Sequence, residues 1–299
     1  MFSLILTDYN TMDESFLYIK RFIEYCIGNV DIILIDNSAK DKGIMYLEMQ
    51  KIYYNTSMFH DKKVYQFQIY GKNIVLIDAA ENGGYSKGNN LGAAYSDFKY
   101  NNPYYIFSNN DIEFPQKISL KNFSILFKNN PHIGIIGPNI ISPGGGRQNP
   151  RKNKGFISQM IFEPYNLMWF RCKFNKWLWN LGENKRGNTG WVSGSFMIVK
   201  QSAFNEAGFF DENIFLYAEE IILSERMRCT GYITFYEPGI TVIHHHKGSN
   251  SDYISRKRNH ISLKYYYGTY KRINKILLKF SDYCFEIAEF GYKLRHRNN

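Results

Sequence analysis

Three apolar runs of this 299-residue chain end in side chains that could bind a ligand. Thr-Asp at 7–8 closes the first run, Asp-Asn-Ser at 36–38 the second, and Asn-Asn-Asp at 109–111 the third. In open parallel sheets, ligands bind at the carboxyl ends of the strands. Asp36 could accept hydrogen bonds from a base or a ribose, and Asp111 could offer oxygen to a Mg²⁺ or Mn²⁺ ion on a diphosphate. Ordinary turn chemistry is the alternative for each cluster taken alone.

A glycine-rich loop at residues 81–90, Glu-Asn-Gly-Gly-Tyr-Ser-Lys-Gly-Asn-Asn, lies between a predicted strand and a predicted helix. Backbone N–H groups at such a position can surround a phosphate. Gly83 and Gly88 have the outer spacing of a Walker A loop, but two asparagines replace its Lys-Ser/Thr. The dinucleotide pattern GxGxxG is absent as well. The loop therefore indicates either a phosphate cradle of a non-standard kind or a glycine-rich turn.

Two further clusters carry groups for acid–base or metal chemistry. Glu219 and Glu220 follow an aromatic run at a predicted helix start. They are either surface charges that complement the helix dipole or a general base. Three histidines end a predicted strand, and strand alternation places His244 and His246 on one face and His245 on the other. Because no HExxH pattern accompanies them, a zinc hydrolase is not indicated.

The elements that must position these groups alternate between strands and helices over the first 140 residues. Short apolar runs predict strands buried on both faces, and three- and four-residue apolar spacing predicts helices. The predicted strands are 2–7, 31–36, 63–69, 73–77, 104–108 and 132–136, and the predicted helices are 13–27, 41–54, 86–98 and 117–128. A strand at 191–199, a helix near 217–229 and a strand pair near 232–243 follow. This order predicts a doubly wound α/β fold.

Basic charge is concentrated near the C-terminus. The chain has 37 Lys and Arg against 27 Asp and Glu, a net charge of +10, and residues 253–299 alone hold 11 basic and three acidic side chains. Aromatic residues make up 17% of the sequence, which excludes intrinsic disorder. The four cysteines are scattered, so neither a disulfide framework nor a zinc knuckle is expected, and a reducing cytosol is. Neither a signal peptide nor a spanning helix is expected.

Taken in order, these motifs resemble those of family-2 glycosyltransferases with the GT-A fold, nearest the bacterial rhamnosyltransferase-like branch that builds surface polysaccharides. The set is Asp-Asn-Ser, Asn-x-Gly-x-x-x-Gly-Asn-Asn, Asn-x-Asp, Gly-Ser, Gly-Phe-Phe-Asp-Glu, Phe-x-Tyr-x-Glu-Glu and a histidine, over about residues 2–250. The resemblance implies a mixed sheet with a nucleotide-sugar half (1–140), an acceptor half (141–252) and a basic helical tail (253–299).

The same resemblance implies an activity. The enzyme would move a hexose or deoxyhexose, from dTDP-rhamnose or a UDP-hexose, to a hydroxyl of a growing, lipid-linked polysaccharide. The anomeric carbon would invert, and Mg²⁺ or Mn²⁺ would be the cofactor. The expected location is the cytoplasm or the inner face of the plasma membrane.

Individual residues also receive roles from the resemblance. Glu220 would be the general base with Glu219 beside it, and Asp111 and His245 would hold the metal, although His244 or His246 could serve in place of His245. The donor nucleotide would contact Thr7, Asp36, Asn82, Gly83, Asn89, Asn109 and Asn110. The sugar and the acceptor would lie beside Trp191, Gly194, Ser195 and Arg226. Two positions depart from the family, because Glu220 replaces an Asp and Ile222 replaces a second Asp.

Competing interpretations stay open at this point. A polyanion or nucleic-acid binder fits the basic charge, but the sequence carries no helix-turn-helix, finger or RNP pattern, so no nucleic-acid partner is expected. A sugar nucleotidyltransferase would carry a glycine- and Arg/Lys-rich loop directly after the first strand. Ile222 suggests a non-catalytic glycosyltransferase. The tail could lie on an anionic membrane, pack on the domain or form a homodimer, and the basic, Trp-bearing segment 147–179 could extend the same surface.

Overall fold

A computed structural model describes residues 1–38, 41–164, 181–245 and 253–296. The strands are β1 (Phe2–Asp8), β2 (Cys26–Ile27), β3 (Val30–Asp36), β4 (Tyr54–Phe59), β5 (Lys62–Ile69), β6 (Lys72–Asp78), β7 (Tyr104–Ser108), β8 (Ile112–Glu113), β9 (Ile118–Ser119), β10 (Ile133–Ile141), β11 (Gly187–Thr189), β12 (Phe196–Lys200) and β13 (Ile233–His244). The helices are α1 (Met12–Tyr25), α2 (Lys42–Met49), α3 (Gly84–Lys99), α4 (Leu120–Asn129), α5 (Gln201–Glu206), α6 (Glu219–Cys229), α7 (Tyr253–Thr269) and α8 (Lys275–His296), with a π-helical turn at Ile157–Phe162.

One large mixed sheet forms the centre of the molecule. Its order is β11-β13-β10-β12-β7-β1-β3-β6-β5-β4, and β8 pairs with β13 beside this path. β7, β1, β3 and β6 are parallel neighbours, whereas β12 runs antiparallel between β10 and β7. The continuous apolar runs lie in the parallel part, where Leu4, Ile5 and Leu6 are fully buried. This architecture confirms the predicted doubly wound mixed sheet.

Strand register brings the polar strand ends to one edge of the sheet. Asp8 at the end of β1 pairs with Asp36 at the end of β3, and Asp36 pairs with Asp78 at the end of β6. On the other side of β1, the backbone N–H of Asn109 donates to the carbonyl oxygen of Ser195 at 2.9 Å. This bond holds the end of β7 against the start of β12. The two halves of the sheet therefore meet where the predicted site residues lie.

Glycines at four-residue spacing allow α3 to approach β1 closely. A Cβ at Gly88 would lie 2.6 Å from Thr7 Cγ2, and a Cβ at Gly92 would lie 2.5 Å from Ile5 Cγ2. Such distances are shorter than any ordinary packing contact. Both glycines lie inside α3, so the second half of the predicted loop 81–90 is the first part of this helix, and its glycines hold it against β1.

Gly84 is the strictest of these positions, and replacing it should destabilise the fold. Its φ is +81°, and a Cβ there would lie 2.1 Å from the carbonyl oxygen of Phe215. We expect Gly84→Ala to lower the free energy of unfolding in urea by about 3 kcal/mol, because the backbone of one loop must move away from the other. Gly71→Ala is the matched control, since Gly71 has φ +70° but open space around it. The control should cost only the left-handed conformation, about 1–2 kcal/mol. Equal losses in the two variants would contradict the contact.

The C-terminal tail is helical, as predicted, and its first helix packs on the body. Leu263 and Tyr266 of α7 are buried in one apolar cluster with Ile222 of α6. The Ser262 hydroxyl donates to the carbonyl oxygen of Leu216 at 2.8 Å. α7 therefore belongs to the folded body, while α8 contacts α7 and the π-helical turn.

Four predicted elements differ in the structure, and the first is the strand predicted at 132–136, which continues through Gly137 and Pro138 to Ile141 as β10. The helix predicted at 41–54 ends at Met49, because Tyr54–Phe59 forms β4 at the sheet edge. The predicted strand pair at 232–243 is the single strand β13, whose register against β10 shifts between Glu237 and Thr241 instead of turning back. The strand predicted at 191–199 begins only at Phe196, so that the preceding residues are free of strand pairing to β7 and can line the site.

Part of the predicted membrane-facing segment 147–179 lies outside the described residues. Residues 165–180, which include Trp169, Trp177 and Trp179 of the basic aromatic segment, lie outside the described residues, as does His246. Among the residues that the structure describes, no helix combines the length and the apolar character needed to cross a bilayer.

Candidate active site

Glu220 lies at the start of α6 and points at a backbone N–H group. Tyr217 and Ala218 have φ of +72° and +66°, so the chain turns sharply just before the helix begins. Glu219 is buried at 4% exposure, whereas Glu220 is half-buried. Glu220 Oε1 accepts a hydrogen bond from the N–H of Gly194 at 2.8 Å. The turn therefore buries one carboxylate and directs the other towards the start of β12.

Gly194 is held between two side chains. Its N–H donates to Glu220, and its carbonyl oxygen accepts a hydrogen bond from the hydroxyl of Tyr85 at 2.9 Å. A Cβ at this position would lie 3.0 Å from both Glu220 Oε1 and the Tyr85 hydroxyl oxygen, so any larger residue would displace these two side chains. Tyr85 of α3 thus helps to position the residue whose N–H binds the Glu220 carboxylate.

The two adjacent carboxylates have different environments. Burial, reinforced by the charge of Glu220, raises the pKa of Glu219, and Glu219 Oε1 has no hydrogen-bond partner among the described residues. Burial also raises the pKa of Glu220, but the N–H of Gly194 and the charges of Arg151 and His244 act in the opposite direction. Like charges this close share one proton. We assign the proton to Glu219 and the charge to Glu220, because burial and the charge of Glu220 dominate at Glu219, whereas the positive charge of Arg151 favours the ionised form of Glu220.

Glu219→Gln should make stability less sensitive to pH. A carboxyl group with a raised pKa in the folded state contributes its full stability below the ordinary pKa of about 4.3 and loses it as the pH rises through the raised value. We expect the wild type to lose at least about 1.4 kcal/mol relative to the variant between pH 4 and pH 8, since one pKa unit corresponds to that energy. Thermal unfolding at both pH values measures the difference. Glu183→Gln, at an exposed position, is the control and should leave the pH dependence unchanged.

Asp111 and His244 form a second cluster at the same edge. His244 Nε2 lies 3.3 Å from Asp111 Oδ1, and His244 Nδ1 lies 2.9 Å from Gln148 Oε1. Because a glutamine Oε1 can only accept, Nδ1 carries the hydrogen and Nε2 faces the carboxylate. His245, which the resemblance places at the metal, instead points to Glu113 at 2.6 Å. β8 pairs with β13, and strand alternation then turns His244 to Asp111 and His245 away from it.

This pair fits a divalent cation bound together with a substrate. The structure describes no group of three or more His, Cys, Asp or Glu side chains able to hold a metal ion. Mg²⁺ and Mn²⁺ do not require such a cage, because they are commonly bound by one or two protein ligands, waters and substrate phosphates. Gln148 fixes the orientation of His244 as an outer hydrogen-bond partner of a ligating imidazole does. Asp111 and His244 are thus the side chains that would hold the cation.

On the predicted donor side, Asp36 forms hydrogen bonds with the loop that follows β3. It is 1% exposed, and its two oxygens accept hydrogen bonds from the backbone N–H of Ser38 at 2.9 Å and of Gly43 at 2.5 Å. Asp8, at the neighbouring strand end, accepts from the hydroxyls of Thr11 and Ser15. The contact of Asp36 with a nucleoside stays a prediction, and its observed contacts keep the end of β3 in place.

The remaining predicted donor residues line the same edge. Asn110 Nδ2 donates to the hydroxyls of Thr11 and Ser15, and Asn82 Oδ1 accepts from the N–H of Gly84 at 3.0 Å. Asn89 Nδ2 donates to the carbonyl oxygen of Tyr85. Two atoms of the predicted donor residues, Thr7 Oγ1 and Asn89 Oδ1, are buried and have no hydrogen-bond partner among the described residues. Buried polar atoms of this kind usually have a partner, so a ligand at this edge has groups to satisfy.

A cavity of about 470 Å³ lies beside the loop 81–90. Its walls include Asn37, Gly83, Lys87, Gly88 and Phe209. Because Asp111, Glu220 and His244 are absent from its lining, this cavity is separate from the cluster that those three residues form.

On the predicted acceptor side, Trp191 contacts Arg151, a residue that the motifs do not single out. The N–H of each residue donates to the carbonyl oxygen of the other, at 3.1 and 3.2 Å. The guanidinium lies over the indole ring, 5.6 Å from its centroid. Arg151 Nε and Trp191 Nε1 are both buried without a partner among the described residues. The sequence marks Arg151 only as one member of a basic segment, because the residues that it contacts in the structure lie 40 positions or more away along the chain.

Arg226 takes part in a different network from the one predicted. Its guanidinium donates to the carbonyl oxygens of Gly208 and Phe209 and to the hydroxyl of Tyr270, and it lies 3.2 Å from Asp211 Oδ2. Six residues after Glu220, it points to another side of α6. The structure therefore does not bring Arg226 to the sugar side of the site, and it gives Arg226 the task of joining the 208–211 turn to the tail.

The structure explains why Ile222 stands where the family pattern has an Asp. Its side chain is fully buried in the cluster formed with Leu263, Tyr266 and Tyr267 of α7. A carboxylate there would be buried without charge compensation, at a cost of several kcal/mol. The apolar residue thus belongs to the contact with the tail and says nothing against catalysis at Glu220.

The sheet order and this edge define the fold of GT-A glycosyltransferases. A mannosyltransferase of Pyrobaculum calidifontis, solved in complex with GDP-Man and Mn²⁺, superposes with a TM-score of 0.59 at 11% identity, over 100% of this chain and 75% of that one. GalNAc-T7, solved with UDP, GalNAc and Mn²⁺, gives 0.59 at 13% identity, over 96% and 55%. At these identities the likeness concerns the fold alone.

Sequence relatives carry names of the predicted branch. An N-acetylglucosaminyl-diphospho-decaprenol L-rhamnosyltransferase of Mycobacterium tuberculosis is 34% identical over 122 residues, which is 38% of each chain. The rhamnosyltransferase WbbL of Escherichia coli is 34% identical over 28% of this chain and 32% of its own length. Agl10 of Haloferax volcanii, a hexosyltransferase of low-salt glycan biosynthesis, is 22% identical over 76% and 61%. No family model matches the chain. The similarities confirm the resemblance to rhamnosyltransferase-like glycosyltransferases, and the first relatives are matched over less than half their length.

Proposed function

We propose that the protein is an inverting, metal-dependent glycosyltransferase that uses a nucleotide-diphosphate sugar. The observation that carries this proposal is the half-buried Glu220, held by Gly194, on the same sheet edge as the Asp111–His244 pair. A base for an acceptor hydroxyl and a site for a diphosphate-bound cation are the two groups that such a transfer needs. Asp111 follows the carboxyl end of β7 and His244 ends β13, and ligands of open α/β sheets bind at such strand ends, which further supports the proposal.

Glu220 performs the proton transfer in this mechanism. The acceptor hydroxyl gives its proton to the Glu220 carboxylate while its oxygen forms a bond to the anomeric carbon. The bond from that carbon to the diphosphate oxygen breaks, and the nucleotide diphosphate leaves with the electron pair. A divalent cation held by Asp111 and His244 would neutralise charge on the diphosphate. Gly194 and Tyr85 keep the carboxylate in position for an attack from the opposite face, which inverts the anomeric centre.

The donor and acceptor classes follow from the relatives as proposals. A deoxyhexose or hexose donor, dTDP-rhamnose or a UDP-hexose, is supported by the names rhamnosyltransferase and hexosyltransferase. A diphospho-polyprenol glycan as acceptor is supported by the decaprenol-linked name of the mycobacterial relative. Such a donor and acceptor meet at the cytoplasmic face of a membrane, and we place the protein there.

Nucleotide-dependent thermal stabilisation tests the proposal. The full chain is heated with UDP, dTDP or GDP, each with and without Mn²⁺. We expect one nucleotide to raise the melting temperature in a Mn²⁺-dependent manner, because a ligand that binds only the folded state stabilises it. The sugar conjugate of that nucleotide should then be hydrolysed or transferred. If no nucleotide shifts the melting temperature in either condition, the proposed function is wrong.

A further inference from the structure

The last helix of the tail has two apolar faces, and only one of them is used for packing. The face towards α7 buries Leu278, Cys284, Phe285 and Ala288. Large apolar side chains also recur at three- and four-residue intervals on the opposite face: Ile276, Phe280, Tyr283, Ile287, Phe290 and Leu294. We call these six residues the outer stripe. The helical repeat brings them onto one side of α8, over about 27 Å at 1.5 Å per residue.

The outer stripe is exposed along its whole length. Its members range from 51% exposed at Phe280 and Leu294 to 77% at Ile276. Single exposed apolar side chains are common, but a continuous row of six, two of them phenylalanines, marks an interaction surface. The row adds nothing to the core, because α8 already packs through its other face. The surface therefore fits a partner outside the described part of the chain.

Basic charge borders the outer stripe. Lys275, Lys279 and Lys293 are exposed on the helix beside it. Two of the three acidic residues of the tail are occupied, since Asp282 pairs with Lys264 and His260, and Glu289 pairs with Arg256. Residues 253–299 as a whole carry a net charge of +8. A second copy of the chain would oppose lysines to lysines across such a face, whereas an anionic surface complements them.

We propose that α8 lies in the headgroup region of an anionic lipid bilayer, with the outer stripe towards the acyl chains. Bulky aliphatic and aromatic residues on one face with lysines at the border are the pattern of an interfacial helix. Each lysine near an anionic leaflet strengthens binding by about fivefold. The inference goes beyond the sugar chemistry, since it concerns where the protein is held and not what it transfers.

Vesicle sedimentation of the full chain tests this surface. The wild type should bind phosphatidylglycerol-containing vesicles at least tenfold more tightly than pure phosphatidylcholine vesicles at low salt. The double variant Ile287→Asp/Phe290→Asp should lose this binding by tenfold or more. The matched control Tyr53→Asp changes a 96% exposed aromatic residue far from the tail and should bind as the wild type does. A second variant, Lys279→Glu/Lys293→Glu, keeps the apolar row and should lose the preference for the anionic lipid.

Light scattering and nucleotide binding complete the test. A wild type that fails to bind anionic vesicles overturns the inference, as does a dimer that the double variant dissociates into monomers, since the partner would then be a second copy. Nucleotide-dependent thermal stabilisation measured on the same variants separates this result from the proposed function. Loss of vesicle binding with normal nucleotide binding supports the membrane surface. Vesicle binding without any nucleotide binding supports it as well, while the proposed function fails.

Discussion

Glu220→Gln should abolish sugar transfer while nucleotide binding remains. Glutamine keeps the size of the side chain and can still accept the hydrogen bond from Gly194, but it cannot take a proton from the acceptor hydroxyl. Removal of a general base lowers the rate by about 10²–10⁴. We therefore expect a loss of at least about a hundredfold in kcat, with an unchanged nucleotide-induced shift of the melting temperature.

The pH profile and a control variant sharpen this test. Because burial raises the pKa of Glu220, the rate of the wild type should fall as the pH decreases through that raised value, at which the base becomes protonated. Glu24→Gln, on the exposed face of α1, should show the wild-type rate and profile. Turnover retained in Glu220→Gln would move the base to Glu219 or to another group.

Asp111→Ala should remove the metal dependence of donor binding. In the wild type, Mn²⁺ should strengthen nucleotide affinity, since Asp111 would share the cation with the diphosphate. We expect the variant to bind the nucleotide at least tenfold more weakly in Mn²⁺ and equally in its absence, as measured by calorimetry. Equal affinities in variant and wild type, in both conditions, would contradict the role of Asp111.

Neighbouring residues provide controls that separate the metal site from the surrounding strand. Glu113→Ala changes a carboxylate two residues further along, which faces His245 instead of His244. It should retain the effect of Mn²⁺. His244→Gln should weaken that effect and His245→Gln should not, because only the former imidazole faces Asp111. The reverse result would restore the assignment that the family resemblance makes.

The sequence predicts the parallel part of the fold well because burial on both faces leaves an unmistakable apolar run. β1, β3 and β7 are such runs, and the helices between them follow from apolar spacing. β4 is different. Its residues are mostly exposed and polar, and it is a strand because β5 supplies a hydrogen-bonding edge. β13 crosses a Pro-Gly pair without turning, since β10 holds both of its halves.

The site is predictable where the motif itself fixes the geometry and not where distant residues decide it. The glycine-rich turn before α3 and the position of Glu220 at a helix start follow from local sequence. The choice between His244 and His245 depends on the pairing of β13 with β8, a contact between residues more than 100 positions apart. The position of Arg226 depends on Asp211 and on Tyr270 of the tail. Local spacing contains none of this information.

The contact between α7 and α6 has a mechanical consequence. Tyr266 donates to Glu225 on the same helix as Glu220, Lys271 pairs with Glu225, and Tyr270 donates to Asp211 in the preceding turn. These contacts fix the orientation of α7 relative to the helix that carries Glu220. A partner that binds the tail would therefore also constrain the direction in which Glu220 faces. With α8 on a membrane, as proposed above, the site at Glu220 would keep a constant distance from that membrane and a constant tilt relative to it.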